Sequence, residues 1–204
     1  MKKLSSILVL LFAISVHSNA QKQKVILNED FSSNKNNWLT YIGKVATYLV
    51  YNGKYVFATN DSVSTYNVMM PDSIDVNKDF SITVTATHTD GTDNYGYGIF
   101  FGASDINNYY SFYITNNGYY RVAKSSTTSG YSELVKWTTN PAIKSGNYVD
   151  NILQFSKQGT NWIITINGQL ITTIPALPLF GNKIGFSQTN YQRVEYDDVK
   201  VVED

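Results

Sequence analysis

Apolar and polar residues alternate with a period of two along most of the chain after residue 24. Between Phe80 and Thr87, for example, Phe, Ile, Val and Ala alternate with Ser and Thr. Such alternation is typical of β-strands that bury one face. No window keeps a helical period beyond a turn or two, so the sequence predicts an all-β protein. The predicted strands lie near 25–31, 46–51, 54–59, 66–70, 80–88, 96–103, 109–115, 119–124, 132–137, 151–156, 161–167, 169–174, 183–188 and 194–202.

Asn-Gly pairs separate neighbouring strands of this pattern at three places, Asn52-Gly53, Asn117-Gly118 and Asn167-Gly168. Asn-Gly favours a two-residue hairpin turn, because both residues tolerate positive φ. So many short strands exceed what one open sheet holds without curling. We therefore predict two packed antiparallel sheets in a jelly-roll sandwich.

The stretch 95–124 is rich in aromatic residues, and its alternation predicts which rings face the core. One face is predicted to be buried: Tyr97, Ile99, Phe101, Tyr110, Phe112, Ile114, Tyr120 and Val122. The other face of this curved sheet is predicted to be open to a ligand: Tyr95, Phe100, Tyr109, Ser111, Tyr113, Tyr119, Arg121 and Trp137.

Tyrosine rings can stack on the apolar faces of sugars, while serine and arginine side chains hydrogen-bond hydroxyl groups. An exposed apolar patch of this kind usually marks an interface. We therefore predict non-catalytic recognition of an oligo- or polysaccharide. Two alternatives stay open at this point: a loop covers these rings as a satellite core, or the face contacts another protein.

The first twenty residues have the pattern of an export signal, with Lys2 and Lys3 before the apolar run Ile7–Ile14. A small-residue site at Ser18-Asn19-Ala20 predicts cleavage before Gln21. We expect one domain over residues 21–204 and a periplasmic or secreted protein. The apolar run is too short to span a bilayer, so membrane insertion is not expected.

Charge and cysteine content narrow the classes of partner. Removal of residues 1–20 leaves 14 basic residues against 16 acidic ones, which provides no electrostatic reason to bind nucleic acid. The chain contains no cysteine, so disulfides and thiolate metal sites are excluded. The sequence leaves the oligomeric state open.

Several motifs follow one another in an order that resembles a known fold family: Asn28-Glu29-Asp30-Phe31, Trp38, Tyr97–Phe101, Asn108–Phe112, Gly118–Val122, Trp137, Trp162–Gly168, Lys183–Phe186 and Tyr196–Val201. The series resembles the concanavalin A-like lectin/glucanase jelly roll. It looks closest to the laminin-G-like and 3-keto-disaccharide hydrolase-like domains of exported bacterial proteins. Carbohydrate binding is what this resemblance implies.

The same resemblance raises a catalytic alternative, a glycoside-processing hydrolase of the 3-keto-disaccharide hydrolase type. Members of that group tend to carry an arginine facing the groove where this chain has Gly102. The closely spaced carboxylates of the glucanase group have no counterpart here either. Both departures disfavour catalysis, and no catalytic residue is assigned.

Four carboxylates near the ends of the chain form a second candidate site. Glu29 and Asp30 follow the first predicted strand, and Asp197 and Asp198 lie in the last one. First and last strands pair in many jelly rolls, and related sugar-binding members carry a structural calcium in such a place. Oxygen ligands suit Ca²⁺. We therefore expect either a structural calcium or, because neighbouring side chains alternate in direction, no cofactor at all.

Overall fold

The computed structural model describes residues 23–62 and 64–204. The predicted export signal and its cleavage position lie outside these residues. The strands are β1 (Lys24–Glu29), β2 (Tyr41–Ile42), β3 (Ala46–Tyr51), β4 (Lys54–Thr59), β5 (Thr65–Ser73), β6 (Phe80–Gly91), β7 (Tyr97–Ala103), β8 (Tyr109–Ile114), β9 (Tyr119–Ser125), β10 (Ser132–Thr139), β11 (Val149–Gln158), β12 (Asn161–Ile166), β13 (Gln169–Pro175), β14 (Lys183–Thr189) and β15 (Gln192–Glu203). In this part of the chain no helix is long and apolar enough to cross a membrane.

The strands form two antiparallel sheets. The nine-stranded sheet has the order β13-β12-β11-β6-β15-β4-β3-β2, and β1 pairs with β15 beside this path. The six-stranded sheet has the order β10-β9-β8-β7-β14-β5. The predicted all-β sandwich of two antiparallel sheets is therefore confirmed.

Turn chemistry explains two of the hairpins directly. Asn52-Gly53 and Asn167-Gly168 have positive φ at both residues, as a two-residue turn between twisted strands requires. The third pair behaves differently, because only Gly118 has positive φ. There Gly118 N donates to Thr115 O at 3.1 Å, so a four-residue loop joins β8 to β9.

The core lies between the sheets and includes every side chain that the alternation in four of the strands predicted to be inward. All eight inward residues of β7, β8 and β9 belong to it, together with Phe80, Ile82, Val84 and Ala86 of β6. Aromatic contacts join the sheets at its centre. The ring of Phe101 stacks on Phe155 with centroids 3.6 Å apart and meets Trp162 edge-on at 5.2 Å.

Pairing of β1 with β15 confirms the expected meeting of the first and last strands, since Glu29 lies opposite Val199. β2 was not predicted. It has two residues and pairs only with β3, so it is too short for a period-two pattern. β10 departs from regular alternation, because its register against β9 shifts twice.

Buried tyrosines make the fold sensitive to alkali. Burial raises the pKa of the hydroxyls of Tyr55, Tyr97, Tyr113 and Tyr196. The folded chain keeps these protons at a pH where the unfolded chain releases them, near pH 10. Their contribution to stability is therefore complete below pH 10 and is lost as the pH rises above it.

We expect tyrosinate absorbance to rise in two stages during an alkaline titration. The later stage, due to Tyr55, Tyr97, Tyr113 and Tyr196, should coincide with the cooperative unfolding that far-UV circular dichroism reports. In denaturant, all sixteen tyrosines should ionise together. Complete ionisation near pH 10 with an unchanged β-sheet signal would contradict the burial of these hydroxyls.

Candidate functional site

The outer face of the six-stranded sheet carries the residues predicted to bind a ligand. One row of paired residues crosses this face from β5 to β9, through Asn67, Ser187, Gly98, Tyr113 and Arg121. This row lies on the side opposite the core, because alternate residues of the same strands belong to the core. The predicted orientation of this face is confirmed, but its accessibility differs from the expectation.

Tyr113 lies flat on the sheet and is only 2% exposed. Its ring lies against Gly96, which has no side chain to displace it. A Cβ atom built onto Gly96 would lie 3.0 Å from Tyr113 Cδ2 and 3.0 Å from Trp137 Cη2, so both rings are close to the backbone here. The hydroxyl of Tyr113 hydrogen-bonds Ser187 Oγ, which in turn donates to Asn67 Oδ1. Trp137 thus reaches across the sheet from the edge strand and covers Tyr113.

Arg121 closes the same region with its guanidinium group. The carbon Cζ lies 4.5 Å from the ring centroid of Trp137, 5.4 Å from that of Tyr113 and 5.3 Å from that of Tyr131. Nη1 lies 3.7 Å from Glu133 Oε1. Guanidinium groups bind to aromatic faces favourably when they are partly desolvated, and only 15% of this side chain is exposed. Arg121 therefore holds the rings together.

Phe100 is fully buried on the outer face, although the sequence predicts it to be open. Its ring occupies the space above Gly185, where an added Cβ would lie 2.3 Å from it. Tyr109 packs edge-on against Phe100 with centroids 5.8 Å apart. The connection between β7 and β8 also reaches this face, because Asn67 Nδ2 donates to Ile106 O at 3.3 Å.

These contacts correct the expectation of an open aromatic face. Phe100, Ser111 and Tyr113 are buried and cannot touch a ligand without rearrangement. Tyr95, Tyr109 and Trp137 are half-buried, and Tyr119 is exposed. The alternative of a satellite core therefore applies to the centre of the face, and accessible rings remain around it.

A pocket of about 360 Å³ opens beside Tyr109, a volume at the lower end of the range for small-molecule sites. We call it the tyrosine pocket. Tyrosines from three strands line it: Tyr48 of β3, Tyr66 of β5 and Tyr109 of β8. The remaining described lining residues are Thr65, Asn67, Ile106, Asn107 and Ser125. None of the described residues that line this pocket carries a charge.

Asn108 anchors one wall of the tyrosine pocket. Its Oδ1 accepts hydrogen bonds from Thr127 N and Oγ1, at 2.9 and 3.1 Å, and its Nδ2 donates to Asp105. The loop of Ile106 and Asn107 is thereby tied to the β9–β10 loop. The hydrogen bonds that Asp105 accepts, first from the Asn108 side chain and then from Asn107 N, lower the pKa of its carboxyl group. Asp105 is therefore an ionised acceptor that orders the loop.

The sequence predicted only Tyr109 among the three pocket tyrosines. Tyr48 and Tyr66 lie far from the aromatic stretch along the chain, and each belongs to an ordinary alternating strand. They reach the pocket because β3 and β5 are close to the same edge of the sandwich. No local signal in the sequence distinguishes them from core tyrosines.

Glu29 is part of a closed hydrogen-bond network. Its carboxylate is 1% exposed and accepts from Asp30 N at 3.1 Å, Phe31 N at 2.9 Å, Asn36 Nδ2 at 2.6 Å and Trp38 Nε1 at 3.1 Å. These donors occupy the lone pairs that a cation would need. Glu29 therefore orders the turn after β1.

The other expected calcium ligands do not complete a site. Asp197 forms an ion pair with Lys54, and Asp30 and Asp198 are exposed. Within residues 23–62 and 64–204, no three carboxylate or histidine side chains come together as metal ligands would. The geometry of Glu29, Asp30, Asp197 and Asp198 therefore does not support the expected calcium site.

Comparison with solved structures identifies relatives in shape. The carbohydrate recognition domain of Emp47p aligns with a TM-score of 0.66 at 14% identity, over 91% of this chain and 99% of that one. Carbohydrate-binding module CBM66 from Bacillus subtilis aligns with a TM-score of 0.58 at 13% identity, over 87% and 92%. The likeness shows the fold. It is a concanavalin A-like jelly roll.

A third solved structure with this fold is an enzyme. The catalytic domain of an endo-1,3-beta-glucanase from Thermotoga petrophila aligns with a TM-score of 0.59 at 10% identity, over 90% of this chain and 99% of that one. No protein-family model matches the chain, and neither does any curated protein sequence. The finer resemblance to laminin-G-like and 3-keto-disaccharide hydrolase-like domains therefore stays a prediction.

Truncation of Tyr113 should destabilise the protein. We expect Tyr113→Ala to lower the free energy of unfolding by about 3 kcal/mol or more, because it empties a packed aromatic site. Chemical denaturation measures this loss. Tyr51→Ala, at an exposed tyrosine, serves as the control and should change stability by less than about 0.5 kcal/mol. Equal stability of the two variants would mean that Tyr113 is accessible.

Glu29→Ala should also destabilise the protein, by about 3 kcal/mol or more, because it leaves several buried donors without an acceptor. Asp30→Ala, at the exposed neighbour, should have a small effect. Calcium should leave the thermal midpoint of the wild type unchanged. A rise in that midpoint that a chelator reverses would restore the calcium hypothesis.

Proposed function

We propose that the protein binds a neutral carbohydrate at the tyrosine pocket without altering it chemically. The observation that carries this proposal is the lining itself, which combines the rings of Tyr48, Tyr66 and Tyr109 with uncharged amide and hydroxyl groups. Aromatic rings stack on the C–H faces of sugars, and amides and hydroxyls exchange hydrogen bonds with sugar hydroxyls.

The lack of charge in the described lining favours a neutral ligand. A charged sugar entering this pocket would lose hydration without meeting an opposite charge, which is energetically unfavourable.

A pocket elsewhere on the surface has a charged lining. This larger pocket beside β1 and β5 includes Lys24, Asp75, Lys78 and Glu203. Net charge near zero likewise favours hydrogen-bonding partners over nucleic acid.

The relatives in shape support carbohydrate recognition as a class. Two of those reported above are named as a carbohydrate recognition domain and a carbohydrate-binding module. At 13 to 14% identity they establish the fold alone, so the pocket has to supply the argument for this chain.

At the tyrosine pocket, the hydrolase alternative lacks the groups that it requires. Glycoside hydrolysis ordinarily uses two carboxyl groups, one of them protonated. The described lining contains no carboxylate, and the lowered pKa of the nearby Asp105 carboxyl opposes a role as proton donor. At Gly102, where the hydrolase-like group has arginine, φ is +59° and an added Cβ would lie 2.5 Å from Leu179 Cδ2.

Export is a further part of the proposal. The basic start and apolar run of residues 1–20 suit a periplasmic or secreted protein, where polysaccharides are accessible. Amino-terminal sequencing of the protein from the producing cell tests it. A mature chain that starts near Gln21 supports export, and one that still starts at Met1 opposes it.

Affinity electrophoresis tests the binding proposal with four neutral polysaccharides: β-1,3-glucan, xylan, galactan and fructan. We expect at least one of them to retard the wild type. Tyr109→Ala should weaken that retardation about tenfold, as expected for the loss of one stacked ring. Tyr51→Ala is the matched control and should behave as the wild type.

Two results would contradict the proposal. Retardation of the wild type by none of the four polysaccharides would mean that neutral carbohydrate is not its ligand. Binding by Tyr109→Ala as tight as that of the wild type, with weaker binding by Tyr119→Ala, would move binding from the pocket to the exposed ring of β9. Thermal denaturation of each variant verifies that it is folded.

A further inference from the structure

Tyr148 has an unusual backbone conformation for a bulky residue. Its φ is +63°, in the left-handed region that favours glycine or asparagine, and its side chain is 77% exposed. This backbone conformation destabilises the folded state when the residue is bulky. Packing of an exposed ring compensates for little of that strain. Strained residues of this kind cluster at functional sites, which directs attention to the side chain of Tyr148.

Hydrogen bonds to buried groups hold Tyr148 in this conformation. Tyr148 N donates to His88 O at 2.8 Å. The preceding residue, Asn147, is fixed through Oδ1, which lies 2.7 Å from His88 Nδ1 and accepts from Asn116 Nδ2 at 2.9 Å. His88 is 1% exposed. The exposed ring of Tyr148 therefore projects from a firmly anchored loop.

A pocket of about 460 Å³ lies beside this ring, and we call it the second pocket. It is bordered by Thr89, Asp90, Asn147, Tyr148, Arg193 and Glu195. Arg193 and Glu195 belong to β15 and face away from the core, since Val194 and Tyr196 between and beyond them are core residues. The second pocket is thus on the outer face of the nine-stranded sheet. The tyrosine pocket lies elsewhere, where Asn67 and Tyr109 of the six-stranded sheet meet Tyr48 of the nine-stranded one.

The polar groups of the second pocket are held in place. Arg193 Nη2 donates to Glu195 Oε1 at 2.8 Å, and Arg193 lies opposite Asp90 in the register of β15 and β6. A second ring stands next to them, because Tyr191 is 42% exposed and its hydroxyl donates to Asp90 Oδ2 at 2.8 Å. Two accessible rings therefore flank planar groups with fixed orientations.

We propose that the second pocket is another carbohydrate-binding site, an inference that rests on the proposed function. Carboxylate and guanidinium groups form paired hydrogen bonds, which match adjacent hydroxyls of a sugar, while Tyr148 stacks on its apolar face. Two carboxylates beside one guanidinium disfavour an anionic sugar. Because the two pockets share no lining residue, one molecule joins two polysaccharide chains.

Tyr148→Gly tests this inference with a readout that a structural role would not produce. Glycine relieves the left-handed backbone, so the variant should be at least as stable as the wild type to heat. It nevertheless should lose one binding site. The probes are the same four neutral polysaccharides, used in affinity electrophoresis for binding and in turbidity assays for cross-linking.

We expect the wild type to be retarded and to make the same polysaccharide solution turbid. Tyr148→Gly and Tyr109→Ala should each be retarded less than the wild type, though still measurably, and should each lose turbidity, since each keeps one site. The apparent affinity of the double variant for the polysaccharide should be about ten times lower than that of either single variant. Tyr51→Ala should retain both properties.

The outcomes separate this inference from the proposed function. Unchanged turbidity with Tyr148→Gly, together with weakened binding by Tyr109→Ala, overturns the second site and leaves the first intact. Lower thermal stability of Tyr148→Gly also opposes it, because the tyrosine would then be retained for the fold. A wild type that binds none of the four polysaccharides overturns both.

Discussion

Burial of both faces of the six-stranded sheet is the constraint on which the site depends. Its inner face packs against the nine-stranded sheet through rings such as Phe101 and Tyr110. Its outer face is covered by its own side chains, since Trp137 and Arg121 lie over Tyr113. Because these aromatic rings pack against one another, little of their apolar surface remains accessible to a ligand. The accessible rings of this face are consequently confined to the margin of the layer.

One glycine just before β7 and one in β14 make this arrangement possible. Gly96 and Gly185 leave the space that the rings of Tyr113 and Phe100 occupy, so both rings lie flat against the backbone. Phe100 packs against Tyr109 beside the tyrosine pocket, and the loop with Ile106 lies close by, where Asn67 Nδ2 donates to Ile106 O. The same loop supplies one wall of the tyrosine pocket. Packing of the outer layer and shape of the pocket are therefore coupled.

The two pockets differ in the charge of their polar residues: the tyrosine pocket is lined by neutral groups, and the second pocket by charged ones. The described lining of the tyrosine pocket is uncharged, and its order comes from the hydrogen bonds of Asn108 in the adjoining loop. The second pocket is open on a polar sheet, where ion pairs such as Arg193–Glu195 fix side chains directly. In the tyrosine pocket neutral hydrogen bonds orient the donors and acceptors, and in the second pocket ion pairs do so. Groups that are already oriented lower the entropic cost of binding a ligand.

The period-two pattern by itself determined every strand except β2 and, in the strands of regular register, the face on which each side chain lies, because backbone geometry imposes that alternation locally. Only the tertiary structure decided which outward rings remain accessible: Phe100 and Tyr113 are covered by residues from other strands and loops. It also brought Tyr48 and Tyr66 to Tyr109, and it surrounded Glu29 with donors that exclude a cation. These outcomes depend on contacts between segments distant in the chain, which alternation along one strand does not encode.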